Sequence, residues 1–152
     1  MGGSIMTGKI SKRILVTIDG SEQSNDAFQE AIRIAELENA SLVFFTVIQE
    51  IMPNNEELYL SLDVRPEMDD VYKALAEKRL EEMTATIDSN LEYRNETTHG
   101  DPKRSIIQFA KENDIDLIVI GATGRGAFER KLVGSTTSYV VNHATCNVMV
   151  VK

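Results

Sequence analysis

Leu117-Ile118-Val119-Ile120-Gly121-Ala122-Thr123-Gly124 is the stretch whose reading decides the fold. Its first four residues are apolar without polar alternation, the pattern of a parallel strand covered on both faces. The run then breaks into glycines, which tolerate positive φ and let another molecule come close to the main chain. Further on, Gly134-Ser135-Thr136-Thr137 reads as a helix start, with hydroxyl groups suited to capping its free N–H groups. Those N–H groups and the helix dipole attract anions, phosphate above all. By itself the stretch is either a plain turn or a phosphate cradle.

Moving outward, the same strand-then-helix pattern recurs along the chain. Ile14-Leu15-Val16-Thr17-Ile18 reads as a first strand ending at Asp19-Gly20-Ser21. Ser21 or Ser24 then caps a helix carrying Ala27, Phe28, Ala31, Ile32 and Ala35 at helical spacing, with Asn39 as its stop. Leu42–Ile48 is the second strand. Residues 49–65 read as a long loop, either a lid over a site or a variable insertion. Pro66 suits the first turn of a second helix whose stripe is Tyr72, Ala76, Leu80, Met83 and Ile87.

Leu91–Thr98 is polar and reads as an edge strand, where charge discourages unwanted pairing. Asp101 and Pro102 suit the N-cap and first position of a helix with Ile106, Ile107 and Ala110 facing inward and a stop near Asn113-Asp114. After the glycines, Thr136–Ala144 reads as a short helix and Asn147–Val151 as the last strand. Strands alternating with helices predict one α/β domain: an open, parallel five-stranded sheet with helices on both faces.

The chain has 152 residues, the length of one domain, with 42% hydrophobic and 26% charged residues. Its net charge of −8 argues against nucleic acid and anionic membranes as partners, since both are bound through Lys and Arg. No apolar stretch approaches the ~20 residues of a membrane span. Residues 1–12 read as a leader rather than a targeting signal, with Met6 as an alternative start. Cys146 is the single cysteine, which agrees with a reducing cytoplasm and reads as a half-buried structural thiol. His99 and His143 read as structural or exposed. No paired carboxylates, nucleophile with a base, or metal-ligand cluster emerges from the spacing.

Two common phosphate motifs do not fit. No Gly-x-x-x-x-Gly-Lys-Ser/Thr run occurs, and Gly-x-Gly-x-x-Gly would need glycine where Glu129 stands. What fits is Gly121, two residues, Gly124, nine residues, Gly134 and then Ser135. This spacing resembles the nucleotide-binding signature of the universal stress protein family, in its ATP-binding branch. The resemblance runs from Ile14 to Lys152 and includes Leu15-Val16-Thr17-Ile18-Asp19 with Ser21, Gly100-Asp101-Pro102, and Asn147-Val148-Met149-Val150-Val151. Some family members carry proline where this chain has Thr17.

The resemblance implies a Rossmann-like sheet of order 3-2-1-4-5, making 13–152 a nucleotide-binding domain. In that order Asp19 and Gly121 meet beside the switch point, where open α/β sheets bind ligands. It further implies ATP with its triphosphate along the glycine loop, and Thr17 and Asp19 beside the nucleoside. Val47 would offer backbone hydrogen bonds to adenine. Gly121 and Gly124 would let ribose and phosphates approach, while Gly134, Ser135, Thr136 and Thr137 supply donors. Ile18, Ile120, Thr123 and Arg125 complete the implied lining. Mg²⁺ or Mn²⁺ would be held mainly by the phosphates. The implied assembly is a homodimer through antiparallel pairing of strand 147–151.

Each of these residues also has a plainer reading. Asp19 could help cap the first helix, Ser135 and Thr136 could be caps alone, and Arg125, Arg130 and Lys131 could be solvated loop charges. The leading expectation is a cytoplasmic, ATP-binding stress or regulatory protein with at most slow hydrolysis. The alternatives are a true ATPase or nucleotidyl-transfer enzyme, and a nucleotide-free dimeric interaction module.

Overall fold

Apolar Ile14-Leu15-Val16 makes β1 (Arg13–Thr17) the centre of the sheet, with all three side chains fully buried. The structure is a computed structural model that describes residues 12–49, 65–123 and 133–152. After β1 come α1 (Glu22–Glu38), β2 (Ser41–Ile48), α2 (Arg65–Thr84), β3 (Tyr93–His99), α3 (Pro102–Glu112), β4 (Leu117–Gly121), α4 (Ser135–His143) and β5 (Asn147–Val151). The leader residues 1–11, loop residues 50–64, and Gly124, Arg125, Arg130 and Lys131 lie outside the described residues.

The sheet has five strands in the order β3-β2-β1-β4-β5, all parallel. Leu15 stands opposite both Val43 of β2 and Ile118 of β4. Because successive strand residues point to opposite faces, the two faces build two cores. On one, Ile14, Val16 and Phe44 pack with α1 and with Leu80 of α2. On the other, Leu15, Val43, Phe45 and Ile118 pack with Ile106 and Ala110 of α3 and Val140 of α4. Phe28 meets Phe44 at 5.0 Å between ring centroids, and Phe45 stacks on Phe109 at 4.4 Å. Fully burying Phe28, Phe44 and Phe45 stabilises the fold by roughly 1.5–3 kcal/mol each.

Helix ends follow local chemistry. Ser21 is the N-cap of α1 and accepts from the Ser24 N–H, and Asn39 ends that helix in the left-handed region at φ 55°. Asp101 caps α3 by accepting from the Arg104 N–H, and Pro102 opens it. The inward stripe of α1 includes Ile34, which is more deeply buried than Ile32. Ile87 lies beyond the end of α2 but still packs against the first core. Polar β3 is an edge strand, as its composition predicts. Among the described residues no helix is long and apolar enough to cross a membrane.

Candidate nucleotide site at the carboxyl end of the sheet

The exit of β1 is pinned to β2. Beyond the last paired residue, the Ile18 N–H donates to the Phe45 carbonyl at 2.8 Å, and buried Thr46 donates its hydroxyl to the Ile18 carbonyl at 2.8 Å. Asp19 thereby leaves the sheet at a fixed angle. Its Oδ1 accepts from the Ser21 N–H at 2.9 Å, and Gly20 turns the chain with φ +86°, a conformation that favours glycine. Asp19 thus braces the start of α1 while Ser21 is the cap itself, and the residue stays exposed toward the crevice.

Across the switch point, the exit of β4 is tied to the start of α4. The Gly134 N–H donates to the Ala122 carbonyl at 2.8 Å, and Thr137 donates its hydroxyl to the Gly121 carbonyl at 2.7 Å. Two expectations change here. Gly134 is the N-cap of α4 and no side chain caps that helix, so Ser135, Thr136 and Thr137 do not act as caps. The Thr137 hydroxyl is buried and donates to the strand, because that bond closes the β4–α4 junction, so it is not a free donor.

Gly121 also has a different reason to be glycine. A Cβ there would lie 2.7 Å from Gln23 Cβ and 2.9 Å from the Gln23 backbone carbon, so the missing side chain makes room for α1. Close helix packing demands this glycine, whatever occupies the crevice.

Between these two exits lies a cleft of about 790 Å³. Thr17, Ile18, Asp19, Val47, Ile120, Gly121, Thr123, Gly134, Ser135, Thr136 and Thr137 all line it, so the structure brings together every expected residue that it describes. The lining also includes residues that sequence reasoning assigned to the core or did not single out. Tyr72 and Ala76 on α2 reach the cleft, as do Thr46, Gln49, Ile106 and Arg79. Arg79 follows Ala76 by three positions and Tyr72 by seven, so the same helical spacing that marked those two would have found it.

Cys146 is half-buried, and desolvation pushes its thiol above the ordinary pKa. His99 and His143 are exposed, and the His143 ring stacks on Tyr139 at 3.9 Å.

Compared with known proteins, the sequence matches the universal stress protein family over residues 11–152. The chain belongs to that family. A putative universal stress protein of Staphylococcus haemolyticus is 30% identical over 145 residues, spanning 93% of this chain and 84% of the relative. Universal stress protein UspA from Lactobacillus plantarum superposes with a TM-score of 0.80 at 36% identity, covering 95% of this chain and all of the other. A universal stress protein solved in complex with cAMP is 25% identical, with a TM-score of 0.58 and coverage of 93% and 96%. The sheet order of this universal stress protein is the one its resemblance implied.

Proposed function

We propose that the cleft binds ATP and that the protein is a cytoplasmic stress or regulatory protein governed by nucleotide, with at most slow hydrolysis. The observation that carries this reading is the convergence of two distant segments, Thr17–Asp19 and Gly134–Thr137, on one cleft at the carboxyl end of the sheet. Its volume lies within the ~300–1,000 Å³ of small-molecule sites. The position beside the strand-order switch is where open α/β sheets take nucleotides, and the relative in complex with cAMP supports an adenine nucleotide.

In this reading adenine lies against the Val47 backbone at the end of β2. The ribose lies over Asp19 and Gly121, and the phosphates face the Gly134–Thr136 end of α4. Of these, Ser135 and Thr136 keep their hydroxyls for the ligand, while the Thr137 hydroxyl is held by the strand. Among the described residues no group of three or more His, Cys, Asp or Glu could hold a metal. Asp19 is the one carboxylate in the described lining, so Mg²⁺ or Mn²⁺ fits only as an ion carried mainly by the phosphates. The edge strand β5 supports a homodimer: its apolar residues 148–151 are only half-buried, and its outer edge is unpaired among the described residues.

The test is mass spectrometry of small molecules released from freshly purified, denatured protein, with titration of ATP into the intact protein. Release of ATP or ADP and saturable ATP binding are expected. A protein that releases nothing and binds no adenine nucleotide ends this reading and leaves the dimeric interaction module. Turnover above about one per second would favour a true enzyme. Sedimentation of the same sample is expected to give the mass of two chains; a monomer would remove the pairing of β5.

A further inference from the structure

Arg79 stands apart from the other arginines whose side chains are described. Arg13, Arg33, Arg94 and Arg104 each lie within ion-pair reach of a carboxylate, namely Asp114, Glu30, Glu96 and Asp101. Arg79 has no hydrogen bond or ion pair among the described residues. It is half-buried on the inner side of α2 and lines the cleft. Its guanidinium rests against the β1–α1 turn, where a Cβ on Gly20 would lie 3.0 Å from Arg79 Cζ and 3.2 Å from Nε. Gly20 is glycine for its positive φ, and the flexible tip of Arg79 lies beside it.

The electrostatics make that placement informative. Asp19 and Arg79 are the acidic and basic side chains of the described lining, one of each sign. The positive end of α1 adjoins Arg79, and that of α4 faces the same cleft. Without Arg79 the lining would carry only the negative charge of Asp19, in a protein whose net charge is already −8. A partly desolvated guanidinium is stabilised by an anion matching its fork of donors, and phosphate oxygens do so bidentately. In a nucleotide, only the phosphates carry that charge.

We propose that Arg79 is a phosphate-binding residue of the cleft, closing on the ligand from the α2 side, opposite the start of α4. It sets the preference of the site for charged nucleotides over nucleosides. This rests on the cleft being a nucleotide site, and it adds a contact from α2 to the two strand exits.

The experiment is titration calorimetry of ATP and of adenosine into the full chain, as wild type, Arg79→Met and Arg79→Lys, with thermal melting of each. Arg79→Met is expected to weaken ATP about 10- to 100-fold, the size of a lost charge-assisted hydrogen bond, and to leave adenosine within about twofold. Arg79→Lys keeps the charge without the fork, so it should lose less, and its ATP affinity should still fall as salt rises. Lys also keeps the stem packed, so it serves if the Met variant melts early. ATP affinity unchanged in both variants overturns the proposal while leaving the nucleotide site intact. Equal losses for ATP and adenosine overturn it too, since Arg79 would then be shaping the nucleoside pocket. A wild type that binds neither compound overturns the proposal together with the reading it rests on.

Discussion

α1 and α4 start at the same end of the sheet, on opposite faces, and the two starts are finished in opposite ways. The first turn of α1 is closed internally: Ser21 accepts from the Ser24 N–H at 3.1 Å, Ser24 donates its hydroxyl back to the Ser21 carbonyl at 3.0 Å, and Asp19 takes the Ser21 N–H. The first turn of α4 has glycine as its N-cap and no side-chain partner. Every helix begins with N–H groups that the helix cannot satisfy itself. In α1 side chains satisfy two of them, those of Ser21 and Ser24. In α4 no side chain satisfies any, the Gly134 N–H bonds the Ala122 carbonyl, and Gly134, Ser135 and Thr136 line the cleft. The start of α1 is thus braced by its own side chains, and the start of α4 is not.

Three substitutions would break or sharpen that contrast. The largest effect belongs to Gly121→Ala, which drives a Cβ into Gln23 of α1. Overpacking of this kind costs about 1–3 kcal/mol, read as a lower midpoint in urea; an unchanged midpoint would mean that α1 has slack at this strand. Next comes Ser135→Pro. Proline is tolerated at the first helical position, and Gly134, at ψ 162°, already has the conformation that precedes proline. Stability should hold while ATP affinity falls about tenfold, because one N–H facing the cleft is gone. Last is Ser21→Ala, which should cost about 1 kcal/mol of stability and leave ATP binding unchanged. If Ser21→Ala weakened ATP as much as Ser135→Pro, the division of labour between the two helix starts would be false.

The sequence carried the fold well for a physical reason. Strands buried on both faces must be almost wholly apolar, so 14–18, 42–48 and 117–120 stand out without any knowledge of their neighbours. Caps such as Ser21 and Asp101, and the stop at Asn39, act within a few residues and are equally visible. The order of the strands is a long-range property, and it came from family resemblance rather than from periodicity. Glycine spacing and family resemblance also named the cleft residues, but they misjudge what some of them do. Gly121 was read as room for a ligand, yet its neighbour Gln23 lies almost a hundred positions away in the chain. Thr137 was read as a free donor, and its acceptor is the carbonyl of Gly121 across the junction. Arg79 sits in a charged helix, where one basic residue resembles another until the face it occupies is known. Contacts between distant segments decide each of these cases, and local pattern does not record them.

The central place of β1 has a consequence for how the protein is made. Its partner β2 follows after one helix, so β1, β2 and β3 with α1 and α2 can associate early. Its other partner is β4, and the Arg13 N–H reaches Asp116 across 103 residues of chain. Until that far segment has emerged, one edge of the central strand, whose Ile14, Leu15 and Val16 are fully buried in the finished fold, stays unpaired, which is the condition that favours chaperone capture or aggregation of a growing chain. Closing so long a loop also slows folding. The cleft straddles this same seam, with Asp19 and Val47 from the early half and Gly134 and Ser135 from the late one. A nucleotide that bridges the two halves would hold them together, so newly made protein should mature faster and survive longer when ligand is plentiful.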